Sequence, residues 1–183
     1  LTSVAEFINA EAIMDVDELI KPREYADWRN AEGLYTSRQK IVNWHAALFS
    51  NWWTATDPFT GESRTLPPSI AALRCMARTF DRDKPWFVAA GEIRGFVDPA
   101  SALDYPTMSS EAKTSSYAAG VNSIISQSGR IMVYGDNTLY GDSTSKLAEL
   151  HVANLVNYII LNLGQLVRKF VFDPADDVLL GQL

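Results

Sequence analysis

The sequence predicts an α/β fold, α+β in the broad sense, in which helices pack on a mixed sheet. Two observations carry this prediction. Arg130–Tyr134 is a short apolar run between Gly129 and Gly135, which is typical of a buried strand. The segment after Pro67-Pro68 has apolar residues at spacings of three and four, as an amphipathic helix does.

The first third gives mixed signals up to Gly33 and a stronger helical pattern from Thr36. A short helix is expected near Val4–Met14, followed by an acidic turn region that ends at Gly33. A second, amphipathic helix is predicted over Thr36–Trp53, with one apolar face. That face consists of Ile41, Trp44, Leu48 and Trp52.

The middle of the chain contains the clearest turn signals. Asp57–Gly61 predicts a turn, because Pro58 presets φ and Gly61 adopts positive φ at little cost. A helix opens at Pro67-Pro68 and runs to about Thr79. Two short extended pieces, Trp86–Ala90 and Arg94–Val97, are expected to follow.

The segment from Asp98 to Ser128 is rich in Ser, Ala, Pro and Thr. It is expected to be a loop with one helix between Ser109 and Ile125. This composition makes it the best candidate for an internal boundary.

The last third predicts a strand, a helix and a second strand. The strand at 130–134 is followed by a polar loop, Gly135–Ser143, and by a helix from Ser145 to Leu163. Leu166–Phe172 is the second strand candidate, and Asp173-Pro174 begins a turn. This order predicts a right-handed βαβ crossover with the two strands parallel and the helix packed across them.

The bulk composition excludes several classes of protein. One cysteine and two histidines among 183 residues are too few for an intrachain disulfide or for a His/Cys zinc site of the usual kind. The net charge of −6 argues against nucleic-acid binding, and eight of the acids lie within residues 1–32 beside three basic residues. This acidic stretch is either a solvated surface or a face that docks on a basic neighbour. The richest apolar run, from Val156, is too short for a membrane span.

The sequence contains no convincing catalytic signature. His45 or His151 would be the base of a catalytic triad, but no serine lies in a G-x-S-x-G elbow. The Gly135–Ser143 loop follows a strand and precedes a helix, as phosphate-binding loops do, yet it lacks their glycine and lysine pattern. Its Asp136, Asn137 and Asp142 could hold Mg²⁺ or Ca²⁺, although a surface loop fits the sequence better. We therefore expect no enzyme activity, no cofactor and no metal site.

Five tryptophans are many for this length. Trp44, Trp52, Trp53 and Trp86 either pack in the core or mark an interface, where tryptophan is enriched. Cys75 lies on the helix after Pro68 and is expected to be a buried small apolar residue.

Three segments of the first half, the first of them in two parts, are similar to stretches of one known protein family. Ala46-Ala-Leu-Phe-Ser-Asn-Trp-Trp and Asp57-Pro-Phe-Thr-Gly61 are similar to the family's Ala-Ala-Leu-Tyr-x-Pro-Trp stretch and Asp-Pro-x-Thr-Gly turn. Leu66-Pro-Pro-Ser, leading to Ala77-Arg-Thr-Phe-Asp, resembles its Pro-Pro-Ser-Gly helix that ends Ala-Arg-Thr-Asp. Lys84-Pro-Trp-Phe-Val-Ala-Ala-Gly-Glu-Ile-Arg-Gly95 is similar to its Trp-x-x-Pro-Ala-Gly-x-x-Arg-Gly.

Three further segments follow in the family's order. Gly129-Arg-Ile-Met-Val-Tyr-Gly-Asp-Asn-Thr resembles its strand and the loop after it. His151-Val-Ala-Asn-Leu-Val-Asn-Tyr-Ile is similar to its late helix, in which paired arginines stand where this chain has Ala153 and Asn154. Val171-Phe-Asp-Pro-Ala-Asp resembles Val-Phe-Glu-Pro-Asn-Asp.

Together, the six segments resemble the contractile tail sheath family of myovirus-type bacteriophages. This resemblance implies a structural subunit that polymerises helically around an inner tail tube and contracts to drive the tube through a host envelope. The alternative is a sheath component of a related contractile injection machine. Residues 1–105 would be part of a central sheath domain, and 106–183 part of the C-terminal core domain, truncated at its end. The implied partners are further copies, the inner tube protein, and baseplate and tail terminator proteins, with neither nucleic acid nor membrane insertion.

The resemblance also places the protein in the virion tail, and in the host cytoplasm during assembly. Without terminal arms that add strands to a neighbour's sheet, this chain is expected to polymerise poorly. The structural or interface candidates are Trp52, Trp53, Trp86, Arg94 and Arg130, and Arg94 is expected to pair with an acid or with loop backbone.

Overall fold

The computed structural model describes residues 2–98 and 100–168. Six helices and seven strands follow one another along this part of the chain. In chain order they are α1 (Thr2–Ile8), β1 (Ala12–Asp15), α2 (Tyr25–Asn30), β2 (Ala46–Ser50), β3 (Trp53–Thr56), β4 (Ser63–Leu66), α3 (Pro68–Arg82), α4 (Gly91–Arg94), β5 (Ala100–Leu103), α5 (Ser110–Ala118), β6 (Val121–Gln127), β7 (Arg130–Tyr134) and α6 (Leu150–Arg168). Short 3₁₀ turns lie at Pro22–Glu24, Gly33–Tyr35 and Lys146–Ala148.

A four-stranded mixed sheet forms the centre, in the order β1-β2-β6-β7. Strands β1, β2 and β6 run parallel, and β7 pairs with β6 in an antiparallel hairpin. The hairpin turns at Ser128 and Gly129, which both have positive φ, as a tight turn between twisted strands requires. The predicted α+β class and the strand at 130–134 are therefore confirmed.

Helices cover both faces of this sheet. Ala47, Phe49, Ile124 and Val133 face one cluster of buried residues, which α3 completes with Ala71, Ala72, Cys75 and Met76. Ala46, Leu48, Val121 and Ile125 face the opposite cluster, with Tyr25 from α2 and Ala112 from α5. Successive residues of β2 face opposite sides of the sheet, because a strand has a two-residue period. The sheet and the helices on its two faces therefore form three layers with two cores.

A second, three-stranded antiparallel sheet has the order β4-β3-β5. The predicted turn at 57–61 connects β3 to β4, where the Asp57 Oδ1 accepts a hydrogen bond from the Phe59 N–H at 2.8 Å. The predicted helix after Pro67 is also confirmed, since α3 continues to Arg82. Cys75 is buried within it, as expected.

The predicted helix over Thr36–Trp53 is wrong. This region contains a loop, then β2 and the start of β3. Every residue of β2 is buried, because the strand is covered on both faces. Such a strand carries a continuous apolar run instead of an alternating one, and periodicity alone cannot distinguish this run from a buried helix. Of the four residues assigned to the helical face, only Leu48 lies in β2.

The short elements around it also differ in part. The helix predicted for Val4–Met14 ends at Ile8, and β1 begins at Ala12. Trp86–Ala90 has no regular extended structure, and Gly91–Arg94 forms the helical turn α4. The helix expected between Ser109 and Ile125 exists as α5, but it stops at Ala118 so that β6 can enter the sheet.

The second strand of the predicted βαβ crossover does not begin at Leu166. Helix α6 begins at Leu150, after the Ser145 side chain has capped a 3₁₀ turn, and it continues to Arg168, through the start of the expected strand at 166–172. Beyond Asn157 most of the helix residues are exposed, so α6 is not packed across the sheet along its whole length as predicted. Residues 169–172 and the expected turn at Asp173-Pro174 lie outside the described residues.

Strands from both sides of position 105 enter the central sheet, two from residues 12–50 and two from residues 121–134. The two portions therefore share the central sheet and both of its cores. Their assignment to two sheath domains stays a proposal about the whole subunit.

Candidate assembly interface

In the part of the chain that the structure describes, the buried residues of helix α6 lie in its first two turns. Its buried residues are Leu150, Ala153 and Asn157. The loop residue Asp136 holds the helix start, because its carbonyl accepts from the Leu150 N–H at 2.7 Å and its carboxylate hydrogen-bonds the His151 ring. The carboxylate is largely buried, and this burial raises its pKa, opposed by the hydrogen bond from His151.

The second half of α6 presents a wide apolar surface to solvent. Between Val152 and Val167 the helix carries no charged residue. On a helical projection Ile159, Ile160, Leu163 and Val167 lie within one arc, and each is between 38% and 56% exposed. We call these four residues the α6 apolar face. Asn162 and Gln165 lie on the other side of the helix.

An apolar patch of this kind on a charge-free stretch of helix is typical of a surface that another molecule or chain segment covers. By length and composition alone, α6 also qualifies as a helix able to cross a membrane, with 17% of its apolar window buried. A helix that buries one exposed face in an assembly can have the same length and apolar composition. Asn154, Asn157, Asn162 and Gln165 would be costly in hydrocarbon, because their amides would lose water without gaining partners.

The three tryptophans singled out from the sequence occupy different environments. Trp53 is 2% exposed, and its indole N–H donates to the Pro67 carbonyl at 3.1 Å. Trp52 is half-buried and donates to the Val16 carbonyl at 2.9 Å. Trp86 meets the Tyr158 ring of α6 edge to face, with 5.5 Å between ring centroids. Trp53 is thus a core residue, whereas Trp86 borders the projecting part of α6.

Arg94 and Arg130 lie near the surface. The Arg94 Nε donates to the Asp83 carboxylate at 2.6 Å, and its guanidinium lies 4.7 Å from the Phe87 ring. Arg94 therefore has an acidic partner of the kind expected. Arg130 is exposed, with its guanidinium 5.7 Å from the Phe96 ring. Their roles at contacts between subunits stay predictions.

The candidate catalytic residues have structural partners. His45 is buried, and its Nδ1 lies 3.2 Å from the Ala10 carbonyl oxygen. His151 is paired with Asp136 at the start of α6 and lies 3.6 Å from the Glu149 carboxylate. Within residues 2–98 and 100–168, no three His, Cys, Asp or Glu side chains are grouped closely enough to hold a metal ion.

Several buried polar residues were not identified from the sequence. Arg78 carries out the carbonyl binding expected of Arg94, since its Nη2 donates to the carbonyls of Arg94 at 2.9 Å and Phe96 at 2.6 Å. Asn122, fully buried on β6, donates to Leu48 and Asn137 carbonyls and accepts from the Asn137 N–H at 2.8 Å. Arg29 on α2 is buried, and its Nε and Nη1 have no hydrogen-bond partner within residues 2–98 and 100–168. Isolated Asn and Arg residues give no sequence pattern by which such roles could be found.

No family model matches the sequence, and no curated protein matches it either. The three-dimensional fold, in contrast, is shared with chains of contractile injection machines. This agrees with the sequence resemblance to tail sheath proteins at the level of the fold.

A chain in the cryo-EM structure of the anti-feeding prophage (AFP) baseplate, 6-fold symmetrised, matches with a TM-score of 0.70 and 16% identity, over 94% of this chain and 41% of that one. A chain in the contracted sheath complex of the extracellular contractile injection system PVC matches with a TM-score of 0.71 and 16% identity. This match covers 90% of this chain and 42% of that one. A chain of the contracted AFP helical sheath matches with a TM-score of 0.62 and 14% identity, over 91% of this chain and 49% of that one. The chain thus spans between 41% and 49% of the length of these chains.

Proposed function

We propose that the chain is part of a contractile sheath subunit, which polymerises helically around an inner tube and contracts to drive the tube through an envelope. One observation carries the proposal: the fold matches over at least 90% of the chain to components of AFP and PVC, among them sheaths in the contracted state. The order of six sequence segments across residues 46–176 supports it independently.

The α6 apolar face supports an assembled state. Its apolar side chains are exposed in the single chain, and burying them stabilises an assembly by about 25 cal/mol per Å² of apolar surface. We assign this face to contact with a second copy of the protein. A heterologous contact of this kind, repeated without closure, builds a helical array.

Contraction then requires each subunit to exchange one set of contacts for another. Energy stored in the extended array at assembly is sufficient for this, and no nucleotide is consumed. Trp52, Trp86, Arg94 and Arg130 are the further residues that we propose for subunit contacts. Trp53 is excluded by its burial.

The finer assignments follow from the same proposal. The partners are further copies, an inner tube protein, baseplate and tail terminator proteins; the location is the tail of a particle, and the host cytoplasm during assembly. A bacteriophage virion and a related injection machine are both compatible with the sequence. The AFP and PVC matches favour the second of these two.

Negative-stain electron microscopy of the purified full-length protein tests the proposal. Tubes or striated rods are expected. A protein that stays monodisperse and compact at every salt and protein concentration tried, and that also fails to assemble on added tube protein, would contradict it.

A further inference from the structure

A pocket of about 320 Å³ lies beside the ends of β1 and β2, next to α2. Apolar side chains supply most of its wall. They are Met14, Val16, Trp28, Ile41, Leu48, Trp52 and Leu139. Such a volume and lining fall within the range of sites for small ligands or for a single inserted side chain. We call it the Trp28–Arg29 pocket.

Arg29 also lines this pocket, although it is only 6% exposed. Its Nη2 donates to the Leu139 carbonyl at 3.2 Å, while its Nε and Nη1 have no hydrogen-bond partner among the described residues. Burial lowers the pKa of the guanidinium, but arginine still stays charged. A buried positive charge with one carbonyl partner is expensive, because the protein does not replace the water that the charge has lost.

A second arginine reaches the pocket from the loop after α2. The Arg38 guanidinium lies 3.6 Å from the centroid of the Trp28 ring, a cation–π contact that positions it there. Arg38 is exposed, so the pocket has one buried positive charge and one solvated positive charge.

The two acids of the pocket already accept hydrogen bonds from the protein. The Asp15 carboxylate accepts from the Ser69 N–H at 2.6 Å and the Ser69 hydroxyl at 2.7 Å, and Asp17 accepts from the Leu19 N–H at 2.9 Å. Hydrogen bonds from neutral donors leave both carboxylates charged, so the two acids and the two arginines of the pocket balance in formal charge. The Arg29 Nε and Nη1 are the buried charged donors of the pocket that have no partner among the described residues.

We propose that the Trp28–Arg29 pocket binds a carboxylate carried on a short apolar or aromatic group. The carboxylate pairs with the two arginines, and the apolar group packs between Trp28, Trp52 and Leu48. This chemistry is offered by a free aromatic or aliphatic acid and by a Glu or Asp side chain beside an apolar residue of another polypeptide. The inference does not depend on the proposed function.

A matched pair of probes tests the charge requirement: 3-phenylpropionate and its neutral amide, 3-phenylpropionamide. We expect the acid to raise the Tm of the full chain and to change tryptophan fluorescence, and the amide to do neither. Arg29→Met should weaken binding of the acid by roughly 10- to 100-fold, the usual effect of losing a charged hydrogen bond. Arg38→Gln, at an exposed position that leaves folding intact, should weaken it several-fold, and Arg74→Gln, exposed on α3, should not.

The source of the carboxylate is distinguished by a second arm. A blocked peptide containing Phe-Glu is compared with the same peptide containing Phe-Gln and with the free acid. Tighter binding of the Phe-Glu peptide indicates a protein source, and tighter binding of the free acid indicates a small molecule. The proposal is overturned when neither carboxylate binds, when acid and amide bind equally, or when Arg38→Gln binds the acid as well as wild type does.

Discussion

The Asn157 side chain of α6 donates a hydrogen bond to the Glu11 carboxylate at 2.9 Å. This contact joins the last buried position of the helix to the residue just before β1. The second carboxylate oxygen of Glu11, Oε2, and the amide oxygen of Asn157, Oδ1, are both buried with no partner among the described residues. Both are acceptors, so the pair lacks one donor, which a proton on Glu11 would supply.

Glu11 is therefore expected to make stability depend on pH. Burial raises its pKa from 4.5 to about 7, partly opposed by the hydrogen bond from Asn157. The folded protein holds this proton more tightly than the unfolded chain does. The stabilisation that protonated Glu11 gives to the folded state is therefore complete below pH 4.5, declines as pH rises towards 7, and is lost above that. We expect Glu11→Gln, which supplies the missing donor at every pH, to raise the free energy of unfolding at pH 8 by about 1–3 kcal/mol.

The measurement is urea unfolding of the variant and of wild type between pH 4.5 and 8. The difference between the two proteins should grow with pH across this range. Glu18→Gln, at an exposed position, serves as the control and should show no such trend. A constant difference for Glu11→Gln would mean that Glu11 is ionised throughout.

Asp15 at the end of β1 holds the first turn of α3. It accepts from both the backbone N–H and the hydroxyl of Ser69, across 54 residues of sequence. Asp15→Ala leaves the N–H without this partner, so we expect a loss of about 1–2 kcal/mol in unfolding free energy. Asp15→Asn should lose less, since its amide oxygen still accepts one of the two bonds. Equal losses in both variants would contradict a capping role.

The sequence predicted the parts of the fold that local chemistry determines. Turn residues identified the loop at 57–61, two prolines opened α3, and flanking glycines delimited β7. Strand β2 could not be separated from a helix, because a strand covered on both faces loses the alternation by which strands are identified. Helix α6 ran longer than predicted because Gly164 and the apolar residues after it are compatible with either structure.

The candidate interface was predicted only in part. An apolar helix near residue 159 was expected, but as a packed helix, since sequence does not show whether a neighbour is present. The burial of Trp53 and the exposed position of Arg130 depend on which face of a strand each residue occupies. Arg29 and Asn122 acquire their roles through partners that are more than 15 residues away or on other elements. Such contacts cannot be predicted from the spacing of residues along the chain.

Gly135 is required by the side chain packed against it. Its φ is +130°, and a Cβ at this position would lie 2.6 Å from Asn122 Oδ1 and 3.0 Å from Asn122 Cα. Because Asn122 is fully buried and tied to Leu48 and Asn137, it cannot move without losing hydrogen bonds. We expect Gly135→Ala to destabilise the protein by about 2–4 kcal/mol, measured by urea unfolding.

Gly164→Ala is the matched control for this substitution. Gly164 lies inside α6, where an added Cβ meets no atom within 4 Å. Alanine there should stabilise the helix by up to about 1 kcal/mol. A Gly135→Ala protein as stable as wild type would show that Asn122 relaxes freely and that the network around it is not rigid.

The α6 apolar face provides the sharpest test of assembly. We expect the double variant Ile159→Glu/Leu163→Glu to abolish rods in the full-length protein, because two carboxylates would have to be buried at each contact. The stability of the single subunit should change by no more than about 0.5 kcal/mol, since both positions are exposed.

Asn162→Glu/Gln165→Glu adds the same charge to the same helix on its other side and should still form rods. Sedimentation and negative-stain microscopy report assembly, and flotation with liposomes reports membrane binding. Rods from the first variant would rule out this face as a subunit contact, and flotation of wild type that the first variant loses would assign the face to a membrane instead.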